Sequence, residues 1–324
     1  MNKIFKPLLL LAVVASAFVF TACSDDDDSN GGPTGPTQSI VQIATSTGDF
    51  SILVEALTAT DLVGVLSGSG PFTVFAPDND AFNAFFDDQQ VTDANGDGSR
   101  VDDAAAALGV EAVRQTLLYH VLGAQVLAAQ VPTKGYVSTA STAGPGGRQL
   151  SMLVESRSSG VFLNNGPTVT TANILATNGV IHRINAVITL PTIVDHAVNN
   201  ADFSQLVGAL TATNLVPALL LPGPFTVFAP TNQAFDAIAT VVAGLSTEQL
   251  SSVLTYHVAP GNLQSTDLFA GTFPTVNGQQ ITVAVGTGVT ITDATGGVSN
   301  VIATDVQGTN GVIHVLDRVL IPNL

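Results

Sequence analysis

The 324-residue chain has no tryptophan, a single cysteine, and only 9 lysines and arginines against 25 aspartates and glutamates. Each shortage closes a class of function. One thiol cannot form an internal disulfide, and together with 5 histidines it cannot furnish a cysteine-rich zinc site. A net charge of −16 removes the attraction to phosphate on which nucleic-acid binding rests, so DNA and RNA are not expected partners. The chain also lacks a Gly-x-Ser-x-Gly elbow, a His-Glu-x-x-His pair and a phosphate-binding loop, so no enzymatic activity is expected. Apolar residues make up 46% and charged residues only 10%, which excludes a disordered acidic tail, and the length suits two domains with a core each.

What is present starts at the N-terminus. Lys3 and Lys6 precede an apolar run from Pro7 to Phe20, which has the length of a signal-peptide core and is too short for a spanning helix. Small residues and then Cys23 follow, so residues 1–22 resemble the signal of a bacterial prolipoprotein, with Phe20 in place of the usual Leu. The resemblance implies lipidation of Cys23 and a membrane as partner through the lipid alone, since removing Lys3 and Lys6 leaves the chain more acidic still. Residues 23–38 are acidic, then rich in Gly, Pro and Thr, which gives a solvated tether. The acidic stretch behind the cysteine is similar to surface-export tethers of Gram-negative lipoproteins and implies an outer-membrane, surface-exposed location.

The remainder is one unit written twice. Ala56–Thr60 recurs as Ala209–Thr213, and Gly70–Pro77 as Gly223–Pro230, both at an offset of 153. Tyr119-His120-Val121 recurs as Tyr256-His257-Val258 at 137, and Asn178–His182 as Asn310–His314 at 132. The order is kept while the offset falls, so the first copy carries insertions. A period this long is a duplicated domain rather than a solenoid repeat. The expected domains are residues 39–190 and 191–324, divided at Pro191.

Phe50, Leu53, Val54 and Leu57 stand at i, i+3, i+4 and i+7, and Phe203, Leu206, Val207 and Leu210 repeat the pattern, so each copy opens with an amphipathic helix. Phe72–Phe75 is a β-prone run stopped by Pro77, after which Asp78 can cap a helix bearing Phe82 and Phe85; Thr231, Phe235 and Ile238 match it. Ser246–Gln249 predicts a capping box for a helix to Tyr256, and Val110–Tyr119 is its counterpart. Val/Ile/Thr runs such as Ile281–Val285 and Val289–Thr292 predict strands. Helices first and strands later give an α+β fold.

Thr-Val-Phe-Ala-Pro with Ala81-Phe82 and Ala234-Phe235, a central Tyr-His and a closing Asn-Gly-Val-Ile-His resemble the fasciclin domain, a family of extracellular adhesion modules. The resemblance covers residues 39–324 and implies two tandem fasciclin-like domains, each a β-sheet wedge flanked by helices, working without catalysis. The family's closing motif continues to an Asp; Asp317 supplies it in the second copy, whereas the first has Asn185.

Two readings stand for the motif residues. His120, His257, His182 and His314 have apolar neighbours and suit neutral imidazoles bridging backbone groups in a core. Alternatively, Tyr119-His120 and Tyr256-His257 form an exposed recognition patch, because the family's Tyr-His region is linked to receptor binding in animal members. His196, outside the repeated set and beside Asp195 on an amphipathic segment, is expected on the surface. Ser138–Gly147 reads as a flexible loop. In the first copy's insertion, Asp93, Asn95 and Asp97 alternate ahead of Gly98 as in the first half of a calcium loop, with Ser99, Asp102 and Asp103 available to complete it. Calcium is thus the one cofactor the residues suggest, against the reading of an ordinary turn.

Together these features predict a lipid-anchored cell-envelope protein of adhesion, matrix attachment or biofilm assembly, with an extracellular protein or polysaccharide as ligand. The alternative is a surface carbohydrate-binding or scaffolding lipoprotein of an uptake or assembly complex.

Overall fold

The structure, a computed structural model, describes residues 35–324; the expected export signal, Cys23 and the first part of the expected tether lie outside the described residues. Each copy begins with a short capped helix. Ser39 Oγ accepts from the Gln42 amide and the Gln42 side chain accepts from Ser39 N, which opens the helix Ile40–Ser46. Thr192 and Asp195 do the same for Ile193–Asn199. These reciprocal bonds satisfy amides that a first helical turn leaves without partners.

The predicted amphipathic helices follow as Ser51–Ala59 and Ser204–Ala212, each entered through a 3₁₀ turn whose last residue, Phe50 or Phe203, is fully buried. Asp78 Oδ1 accepts from Ala81 N at 2.9 Å and starts the helix Asn79–Asp88. Thr231 caps the shorter Asn232–Asp236, so Ile238 falls beyond that helix's end. Helices Val110–Tyr119 and Thr247–Tyr256 run as expected, the second with the Ser246–Gln249 capping box formed. The first copy's insertion adds the helix Val101–Leu108.

Seven strands form in each copy. They are β1 (Phe72–Pro77), β2 (Val121–Leu122), β3 (Gly135–Ser138), β4 (Ser151–Arg157), β5 (Gly160–Leu163), β6 (Val169–Ala176) and β7 (Gly179–Ile184) in the first. The second has β8 (Phe225–Pro230), β9 (Val258–Pro260), β10 (Gly271–Pro274), β11 (Gln280–Val285), β12 (Val289–Thr292), β13 (Val298–Gly308) and β14 (Gly311–Leu316). In the second copy they make one sheet, ordered β10-β11-β12-β13-β14-β8-β9, whereas the first divides into β2-β1-β7-β6 and β3-β4-β5. The two most similar sequence motifs meet in space: β1 pairs with β7, and β8 with β14, in parallel, setting Phe75 opposite His182 and Phe228 opposite His314. Parallel strands are covered on both faces, which is why these segments read as unbroken apolar runs.

Alternation along β1 explains the wedge. Val74 and Ala76 point into a core under the helices with Phe50, Leu53 and Leu57, while Phe75 points into a second core with Tyr119, Met152 and Leu163. In the second copy Val227 and Ala229 face one core and Phe228 the other. Leu190 packs on the first copy's core and Ile193 belongs to the second's, so the chain changes domain across Pro191.

Ser138–Gly147 is ordered, contrary to the expectation of a flexible loop. Thr139 N donates to Leu150 O and Leu150 N to Ser141 O, both at 2.9 Å, prolonging the β3–β4 pairing past its strand ends. Thr139 and Ser141 are buried, and Gly146 and Gly147 supply the positive φ that the closing turn needs.

Candidate functional site

The Tyr-His motif ends a helix in each copy and turns inward. Tyr119 and Tyr256 are fully buried; their hydroxyls donate to Ser151 O at 2.7 Å and Gln280 O at 2.8 Å. The amide of Ile188 donates to His120 Nε2 at 2.9 Å, so the proton lies on Nδ1, which donates to Thr116 O at 2.7 Å. His257 repeats the arrangement with Leu320 N at 2.9 Å and Val253 O at 2.8 Å. Burial pushes both imidazoles down to about 4, so they are neutral at neutral pH. The expected exposed recognition patch at Tyr119-His120 and Tyr256-His257 is therefore corrected: each imidazole ties a helix end to the segment beyond β7 or β14, and its ring is hidden from any partner.

The closing motif is also structural. His182 Nε2 donates to Val126 O at 2.9 Å and His314 Nε2 to Leu263 O at 2.8 Å, with both rings stacked on the phenylalanine opposite. Burial lowers both pKa values. Asn178 Oδ1 accepts from Ile40 N at 2.9 Å while its Nδ2 donates to Leu66 O and Gly68 O; Asn310 treats Ile193, Leu219 and Leu221 alike. One amide side chain thus fastens each domain's first helix to its sheet. At the next position, a Cβ on Gly179 or Gly311 would come within 2.0 or 2.2 Å of a β-strand carbonyl, which only glycine allows. Asp317 Oδ1 accepts from Asn300 N, and Asn185 Oδ1 accepts from Thr168 N, both at 2.8 Å. The two residues do the same work, so no negative charge is required there.

Sequence reasoning missed several clamps of this kind. Thr73 Oγ1 donates to Ala124 O and accepts from Val126 N; Thr226 does so with Gly261 and Leu263. Asn79 and Asn232 each bind the start of the preceding amphipathic helix. Identity at an offset of 153 was the available signal.

His196 departs from expectation most. It is buried, with Nε2 donating to Gln307 O at 3.0 Å and its ring edge-on to Tyr136 of the other domain at 5.6 Å. Burial pushes it down to about 4 and pushes the Tyr136 phenol up to about 12. Helix Ile193–Asn199 lies against β13 and β14, and the first domain closes over it, which is why this imidazole is not on the surface. Asn200 Nδ2 donates to the Tyr136 hydroxyl at 3.2 Å, Lys134 pairs with Asp202 at 2.7 Å, and Arg148 with Asp267 at 3.2 Å. At the centre of this seam Ser151 Oγ accepts from Gln307 N at 3.0 Å and donates to Asp305 O at 3.2 Å. These side chains join the two domains on either side of Pro191.

The insertion loop closes on itself. Asp93 accepts from the amides of Gly96 and Gly98, Asn95 Oδ1 from Asp97 N, and Asp97 Oδ1 from Ser99 N. Asp102 accepts from Asn95 Nδ2 and Asp103 from Ala94 N, while Ser99 Oγ contacts Glu55. Among the described residues no group of three or more His, Cys, Asp or Glu side chains is placed to hold a metal ion, and the loop's carboxylate oxygens accept from its own amides. These oxygens turn the chain into the helix Val101–Leu108.

The chain is 44% identical over 137 residues to Protein sll1483 of Synechocystis, spanning 40% of this chain and 73% of that protein. It is 28% identical over 277 residues to human periostin, covering 82% of this chain but only 30% of periostin. Among solved structures, a domain pair from the insect cell adhesion molecule fasciclin I aligns with 84% of this chain and 95% of its own, at 19% identity and a TM-score of 0.48. The family model described as the fasciclin domain matches twice, over residues 48–191 and 201–322, and the chain belongs to the fasciclin-domain family as a tandem pair.

Proposed function

We propose that this chain is an exported adhesion or matrix-attachment protein, held to the cell envelope by lipid on Cys23 and acting by contact without catalysis. Fasciclin domains are adhesion and matrix-interaction modules of extracellular proteins, generally without enzymatic activity. The observation that carries the reading is the fate of the motif residues. Every repeated Tyr and His is spent on internal hydrogen bonds in a neutral, buried state, which leaves those groups neither a proton to move nor a nucleophile to activate. A fixed pair of domains on one tether favours simultaneous engagement of a multivalent surface. Attachment of cells to extracellular polymer, scored for the wild type, a Cys23→Ala variant and a deletion of residues 39–324, tests it. The expected result is reduced attachment in both variants, with Cys23→Ala protein found in the medium. Unchanged attachment in the deletion strain would sink the proposal.

A further inference from the structure

The first domain contains a cavity of about 260 Å³ between the insertion helix Val101–Leu108, helices Asn79–Asp88 and Val110–Tyr119, and the segment beyond β7. We propose that it is a binding site for a small, neutral, apolar molecule.

Phe82, Phe85 and Phe86 form one wall, and Leu108, Val113 and Leu190 much of the rest. No lining residue carries a charge; the polar groups that reach the cavity are Gln89, Thr116 and Thr189, which suit a hydroxyl or carbonyl end. Asp87, Asp88, Asp102, Asp103 and Glu111 lie on the elements that frame it, and the nearby cations are engaged, Arg100 with Asp87 and Val91 O and Arg114 with Thr60 O. An anionic head would meet repulsion, so the ligand is neutral.

The second domain is an internal control. Thr116 corresponds to Val253 and Thr189 to Ile321, and there Leu245, Leu250 and Ile321 pack onto the core, leaving Val319 fully buried while its counterpart Val187 remains half-exposed. The same corner is thus closed more tightly at Val319 in the second copy than at Val187 in the first. The large apolar residues exposed beside the cavity in the first copy are Leu108 and Val110. That is far short of the roughly 800 Å² a protein partner would bury on each side, which favours a small molecule over a second chain.

The test is titration of the wild-type domain pair with N-phenyl-1-naphthylamine, a neutral fluorescent probe, followed by displacement with decanol or with decanoate. Saturable uptake of one equivalent is expected, displaced by decanol and far less by decanoate. Ala112→Trp fills the mouth from an exposed position, and Thr189→Ile installs the second domain's solution; each should weaken uptake about tenfold or more at an unchanged melting temperature. No saturable uptake by the wild type, or uptake unaltered in both variants, would overturn the proposal. So would self-association in sedimentation that Ala112→Trp abolishes without any probe uptake, which would give the cavity to a second copy of the chain.

Discussion

Lys134 Nζ stands 2.7 Å from Asp202 Oδ2 across the domain boundary, whereas Asp49, the equivalent of Asp202 in the first copy, is taken at 2.6 Å by Arg183 of its own domain. The second copy has Val315 where the first has Arg183, so its aspartate is free to pair outward. The same divergence runs along the first helix of each copy, where Ile43 and Thr47 in the first domain correspond to His196 and Asn200 in the second. Copy two thus presents along one face the residues that Lys134 and Tyr136 meet. The ion pair is partly exposed and contributes little by itself, on the order of 0–1 kcal/mol; the aromatic contact carries the docking.

Tyr136→Ala should therefore uncouple the domains, at a cost of about 3 kcal/mol, while Lys134→Ala stays within about 1 kcal/mol of the wild type. Calorimetry would show one transition splitting into two in the tyrosine variant. A single unshifted transition would refute the role of this seam.

Ser151→Ala removes the acceptor of the Gln307 amide at the same seam and should destabilise by about 1–3 kcal/mol, read from the denaturation midpoint. Ser151→Thr keeps the hydroxyl and separates loss of the bond from loss of the side chain.

His257→Ala leaves Leu320 N and Val253 O without partners and opens a cavity, so a loss of about 3 kcal/mol is expected, with His120→Ala similar. Asp317→Asn, by contrast, should fall within about 0.5 kcal/mol of the wild type, because Asn185 already performs this role in the first domain.

Acid should act through His120, His196 and His257, whose folded-state values lie at about 4 against an ordinary 6.5. Between those limits the unfolded chain binds protons that the folded chain refuses, so stability is unaffected above pH 6.5 and declines as pH falls towards 4. The slope is up to about 1.4 kcal/mol per pH unit for each histidine. The nearby carboxylates Asp195 and Asp293 oppose burial only in part. Urea melts at pH 7.0, 6.0 and 5.0 would check the sign, and the His257→Ala variant should show a shallower decline.

The repeated strands and helices were legible in the residues because their apolar spacing is local: Phe50, Leu53 and Leu57 need only helix geometry to share a face. Helix Ile40–Ser46 escaped notice because its signals are a short cap and one fastening asparagine 138 residues away. His196 was misplaced because nothing beside it in the sequence announces Tyr136, and Ser138–Gly147 because its hydrogen bonds run to a strand whose pairing depends on the hairpin around it.

By itself, then, the sequence determined the duplication, the α+β character and the caps, since composition and periodicity act over a few residues. Only the tertiary structure decided that the Tyr-His motifs face inward, that the two domains meet through Tyr136 and His196, and that a cavity opens beside the insertion helix of the first copy. Burial and long-range contact depend on which surfaces meet, and that is not written at any single position.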